Sequence, residues 1–179
     1  MKIKKTLAAA LFFIFSSAVV SEVCAETLLD DNLGFSVQIP SDWRFHRSGR
    51  PPGTGRFVYQ YGLPKMWSEV EKQEIENSVA ITIYDGDFES LKAVQELEDA
   101  RTADITLSTK VVSSSDDSLV IERNSLMGRL EYRIREKLVV HNKRGYVLSF
   151  TATPGTYDKN LHRFIEFTDS FRFVPKKSA

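Results

Sequence analysis

The chain has 179 residues, 24 basic and 24 acidic side chains, 42% hydrophobic residues and a single cysteine. That length suits one domain with a sizeable core. The even charge balance gives no overall reason to expect nucleic acid or an anionic membrane as a partner.

The N-terminus reads as a secretory signal peptide over residues 1–25. Lys2, Lys4 and Lys5 form a basic start, Thr6 to Val20 is an apolar run, and Ser21 to Ala25 supplies small residues near a cut. The apolar run is shorter than the roughly 20 residues of a membrane-spanning helix. Cleavage is expected after Ala25, with residues 26–179 forming a single periplasmic or secreted domain. A lipid anchor on Cys24 is the rival reading. Bacterial lipoprotein signals place Leu-x-small before the cysteine, and Ser21-Glu22-Val23 does not match. Three of the 24 basic residues and one of the 24 acidic ones leave with the signal, so 21 face 23 in the remainder. The only cysteine leaves too, which removes disulfides, thiolate nucleophiles and cysteine metal ligands together.

After a short acidic lead, Phe35, Val37 and Ile39 alternate with Ser36 and Gln38, predicting a half-buried strand stopped at Pro40. Trp43 is expected to pack a turn back onto the sheet. Residues 46–56, HRSGRPPGTGR, contain three glycines, two prolines and no apolar side chain, so they read as a loop. Phe57, Tyr59 and Tyr61 mark a second strand. Trp67 to Asn77 reads as a short helical turn, and Val79, Ile81 and Ile83 mark a third strand. Asp87 is the expected N-cap of a helix over Phe88 to Arg101. Ile105–Val112 and Leu119–Arg123 read as a hairpin with its turn at Ser113–Ser118. Leu130–Val140 and Tyr146–Thr153 form another over Asn142–Gly145. Past Pro154-Gly155 the period changes. Tyr157, Leu161, Phe164, Ile165, Thr168 and Phe171 lie on one helical face, with Thr156 as the cap. Strands in hairpins with two separated helices predict an α+β fold, an α/β/α sandwich with a central, mainly antiparallel sheet flanked by helices.

The residues that could carry chemistry are few. His46 and His141 fall in loop or turn contexts, and His162 lies off the apolar face of its helix. No pair has the spacing of a helical zinc site, and no Gly-x-Ser-x-Gly elbow or Ser-x-x-Lys box is present. No catalytic residue, metal or cofactor is expected. Arg47, Arg50 and Arg56 flank a glycine-rich loop whose guanidiniums could cradle an anion; the bland reading is a surface loop before a strand. Asp85, Asp87 and Glu89 invite a calcium reading, but a turn and a cap explain each. Glu136 is the oddity. Strict alternation puts it on the apolar face of Tyr132, Ile134 and Leu138, where a carboxylate is costly unless paired and has a raised pKa. A bulge or a strand end reaching past the core is the expected escape. Arg133 and Arg135 point the other way and are expected to form a solvated face.

Three stretches carry a resemblance: Phe-Ser-Val-Gln-Ile-Pro-Ser-Asp-Trp at 35–43, Gly-Tyr-Val-Leu-Ser-Phe-Thr-Ala-Thr-Pro at 145–154, and the Phe-rich helix ending Ser170-Phe171-Arg172-Phe173. From Gly34 to Phe173 the chain resembles the PsbP/Mog-like family, including its bacterial envelope proteins of the DcrB type. The resemblance implies the same sandwich and a non-catalytic binding or assembly module, with no family-wide catalytic residues to carry over. The bacterial type of signal segment favours the envelope branch. The expectation is an exported, non-enzymatic module acting on a protein or envelope partner. A carrier of a small anionic ligand on Arg47, Arg50 and Arg56 is the alternative, and an acid–base hydrolase around Glu136 comes after it.

Overall fold

The computed structural model describes residues 25–175. Apart from Ala25, the signal segment and Cys24 lie outside the described residues. Twelve strands and two helices follow in order: β1 (Ala25–Asp30), β2 (Phe35–Pro40), β3 (Arg44–Gly49), β4 (Arg56–Gly62), β5 (Met66–Ser68), β6 (Gln73–Ile75), β7 (Ser78–Tyr84), α1 (Leu91–Thr102), β8 (Thr106–Ser114), β9 (Ser118–Met127), β10 (Leu130–His141), β11 (Arg144–Ala152), α2 (Pro154–Ser170) and β12 (Arg172–Phe173). Seven strands form one sheet in the order β3-β4-β7-β11-β10-β9-β8. Every neighbouring pair in it is antiparallel. The meander β8 to β11 follows from short polar turns, which can join only antiparallel strands. β1, β2 and β12 make a small second sheet, and β5–β6 a hairpin.

Alternation along β11 separates two cores, because successive strand residues point to opposite faces. Tyr146, Leu148, Phe150 and Ala152 join Phe35, Val37 and Ile39 of β2 and Tyr157, Phe164 and Phe167 of α2. Val147 joins Tyr84, Leu119, Ile121, Leu138 and Val94 of α1. Helix α1 packs tightly at Gly145, where an added Cβ would stand 2.8 Å from Val94 Cγ2. A mainly antiparallel sheet with helices packed on it was expected. Strands outweigh helix in the described residues, and α1, only 12 residues long, leaves much of its face uncovered.

Several local expectations are corrected. Residues 46–49 of the expected loop belong to the edge strand β3; its side chains are mostly exposed, so it has no apolar alternation to betray it. Residues 66–75 form the β5–β6 hairpin and not a helical turn. Helix α1 is capped by Ser90, whose side chain accepts from Ala93 N. Asp87 is instead drawn to Lys143 Nζ at 2.8 Å, while Phe88 N donates to Lys143 O and holds the chain extended. Thr153 occupies the N-cap position of α2, with Pro154 in its first turn. Ile165 is exposed and Phe167 takes its place in the core, against Trp43 at 5.4 Å between ring centres.

Arg133 and Arg135 are not a solvated face. Both turn toward Glu122 beneath α2. Glu122 Oε1 accepts from Tyr157 Oη at 2.7 Å and Arg135 Nη1 at 2.8 Å, and Lys110 Nζ stands 2.9 Å from Oε2. Arg133 lies over the Tyr157 ring at 3.8 Å. Burial alone would raise the Glu122 carboxyl, but Lys110, Tyr157 and Arg135 together hold it down at about 2, against an ordinary 4.5. The folded value is the lower one, so the fold favours the ionised form. The stabilisation is present above pH 4.5 and is lost as pH falls through 2; its size is about 3 kcal/mol. Urea unfolding between pH 5 and pH 2 should show that loss, and Glu122→Gln should flatten much of it.

Candidate functional site

The face that α1 leaves open holds a groove of about 540 Å³. Its polar floor follows from alternation. Val79, Ile81 and Ile83 of β7 face the α2 core, so Ser78, Ala80 and Thr82 face the groove. Leu148 and Phe150 of β11 do the same for Ser149 and Thr151. The register aligns these residues across strands: Gln60 opposes Ala80, Ala80 opposes Ser149 and Ser149 opposes Glu136.

A register shift between Phe45 and Arg47 in β3 lets His46 and Arg47 both line the groove. Arg47 Nε donates to Gln60 Oε1 at 2.9 Å. His46 Nε2 lies 3.3 Å from Glu76 Oε1, and Arg44 Nη2 lies 2.7 Å from Glu76 Oε2. Gly62 makes room for that cluster, since a Cβ there would fall 2.1 Å from Glu76 Oε1 and 2.3 Å from His46 Nε2. Arg56, from β4, also lines the groove, and its Nε is buried without a hydrogen-bond partner.

Glu136 stands at the opposite wall. It is 1% exposed, and the pairing of β10 with both neighbours runs through it without a shift. The expected bulge or exposed end is therefore corrected: the carboxylate is buried on the apolar face. It is tolerated because Arg123 Nε donates to Glu136 Oε2 at 2.9 Å. Arg123, itself 2% exposed, also pairs with Asp99 of α1 at 2.5 Å and donates to Thr109 Oγ1 at 3.2 Å. Burial pushes the Glu136 carboxyl up and the nearby Glu98 adds to this; Arg123 and then Arg101 pull it back. Next to this pair, Tyr84 Oη donates to the buried Glu98, and Arg101 Nε donates to Glu98 Oε2 at 2.8 Å. Burial first, then Glu98, pushes the Tyr84 phenol up to about 12.

The anion-cradle trio is divided. Arg47 and Arg56 line the groove, whereas Arg50 turns to Asp85 and lies 5.9 Å from the Phe57 ring centre. Asp85 is further engaged by Arg144 Nε at 3.2 Å, so the acidic turn faces cationic side chains. His141 stacks on Phe173 at 3.9 Å, and His162 is exposed. Among the described residues no histidine hydrogen-bonds Glu136; its partner is a guanidinium, which does not exchange protons at physiological pH. Among the described residues no three His, Cys, Asp or Glu side chains cluster as a metal site.

Sequence reasoning missed Arg123, Glu98 and Asp99 as the partners that make this wall. One signal was available. In β9, Leu119, Ile121 and Arg123 share a face, so an arginine falls on the same apolar surface as Glu136.

No family model matches the sequence, and no curated protein matches it. Solved structures do. The solution structure of PsbP (CyanoP) from Synechocystis sp. PCC 6803 aligns at TM-score 0.55 and 9% identity, covering 90% of this chain and 99% of that one. The Ran-binding protein Mog1p of Saccharomyces cerevisiae aligns at 0.56 and 10%, covering 86% and 97%. LpqN of Mycobacterium tuberculosis, described as involved in cell envelope biogenesis, aligns at 0.52 and 11%, covering 85% and 91%. The chain has the PsbP/Mog-like fold.

Proposed function

We propose that this PsbP/Mog-like chain is an exported, non-enzymatic binding module, a single domain over residues 26–179 released by cleavage after Ala25, that engages a protein or envelope component. Its architecture is read as the expected helix–sheet–helix sandwich with the α1 layer incomplete. The gap in that layer is the binding groove. No described helix is long and apolar enough to cross a membrane.

One observation carries the reading. Among the described residues the carboxylate buried in the groove wall, Glu136, is tied to Arg123 and His46 faces Glu76, and no groove hydroxyl is hydrogen-bonded to either, so no nucleophile is paired with a base and the groove can bind without reacting. Two neighbours of similar fold, a Ran-binding protein and a protein involved in cell envelope biogenesis, support binding as the kind of role. The anion-carrier alternative is favoured by Arg47 and Arg56 reaching the same groove, without Arg50.

A photo-crosslinking residue placed at Gln60 in intact cells should capture a defined species. The same residue at Lys159, on the exposed side of α2, should not. Adducts from Lys159 alone, or only free protein from both, would overturn the proposal.

A further inference from the structure

We infer that the groove takes a small carboxylated sugar, a hydroxyl-rich monoanion. The inference rests on the groove being the binding site, and it names the ligand chemistry.

The floor is built for hydroxyl groups. Ser78, Thr82, Ser149 and Thr151 face the groove, and their side-chain oxygens make no hydrogen bond among the described residues. Ser78 stands directly opposite Thr151 across β7 and β11, and Ala80 is opposite Ser149. Neighbouring strands lie about 4.8 Å apart, a spacing comparable with the span of a pyranose ring. The methyl of Ala80 at the centre leaves room for that ring. Gln60 uses its Oε1 for Arg47, and its amide N–H groups remain to donate. A floor of hydroxyls, each both donor and acceptor, matches a ligand that presents the same chemistry.

Among the described residues the free cations of the groove come from β3 and β4: Arg47 is held by a neutral amide, and Arg56 reaches Tyr84 while its Nε has no partner. The rim ion pairs, Arg44–Glu76 and Arg50–Asp85, leave these two cations out. A guanidinium free of an ion pair fits a carboxylate. Across the groove, Glu136 is held by Arg123 and Arg101 by Glu98, so neither is a free charge for a ligand. Arg47 and Arg56 are then the cations offered to an anion, and they suit a monoanion whose hydroxyls lie over the floor. Tyr132 and Ile134 give the ring an apolar wall.

Titration calorimetry with D-galacturonate, D-glucuronate, D-galactose and inorganic phosphate tests this. At least one uronate should bind, about tenfold or more tighter than galactose or phosphate. Arg47→Ala/Arg56→Ala should lose at least tenfold. Thr82→Ala/Ser149→Ala, with its circular dichroism unchanged, should weaken uronate binding as well. Binding of phosphate but neither uronate, equal binding of galactose, or binding unaffected by both double variants would overturn the inference. Failure of both uronates together with a Gln60 crosslink would overturn the ligand class alone, while leaving the groove as the binding surface.

Discussion

Replacing Arg123 with methionine is expected to destabilise the folded protein by about 3–5 kcal/mol at neutral pH, the usual cost of removing one member of a buried ion pair. Arg123 and Glu136 are each almost inaccessible, and the arginine also joins β9 and β10 to Asp99 of α1. Without it, Glu136 keeps the burial and the Glu98 repulsion that raise its carboxyl and loses the main group that lowers it. The sign follows directly. A folded value above the ordinary 4.5 means that the contribution of Glu136 is full below pH 4.5 and is eroded as pH rises. Arg123→Met should therefore lose stability more steeply than the parent above pH 4.5. Adding Glu136→Leu should restore a large part of it, since a well-packed apolar pair can equal a buried ionic one. Urea unfolding at several pH values measures all of this. A cost under about 1 kcal/mol would mean that the pair is not what holds that wall.

The second large effect belongs to the other face. Phe150 is fully buried, with ring centres 5.4 Å from Tyr157 and 5.7 Å from Phe164. Phe150→Ala should cost about 3–5 kcal/mol through lost burial and the cavity left behind. Ser149, its neighbour, points into the groove, and Ser149→Ala should change stability by less than about 0.5 kcal/mol. Two adjacent residues with such different costs would locate the supporting face and the working face of one strand.

How far the fold was legible depended on which rule each segment obeyed. β2, β4, β7, β10 and β11 carry alternating apolar side chains, and α2 has a helical stripe, so pattern alone places them. β3 and β1 are edge strands whose side chains are mostly exposed; their strand character comes from backbone pairing to the next strand, β4 and β2, which no pattern of apolar side chains records. The caps shifted for a similar reason. Asp87 is a good cap by composition, but Lys143 from another turn competes for it, and Ser90 is left to cap α1.

The groove was legible only in pieces. Glu136 stood out because it broke an apolar alternation, and the break is real; its relief is an arginine on the next strand, not a bulge. Arg47 and Arg56 were singled out for flanking a glycine-rich loop, but they line one groove because they stand on the neighbouring strands β3 and β4. Arg50, between them in sequence, leaves for Asp85. The hydroxyl floor gave no signal, since a serine or threonine on a strand reads as an ordinary solvated residue until the sheet shows what lies opposite.

The most direct measurement is the Gln60 photo-crosslink repeated in intact cells with Glu136→Gln. A groove that binds, and whose buried carboxylate is only an anchor for Arg123, should give the same adduct at a similar yield in the folded variant. Loss of the adduct from a Glu136→Gln protein that remains folded would contradict this and place the carboxylate in the working chemistry of the site.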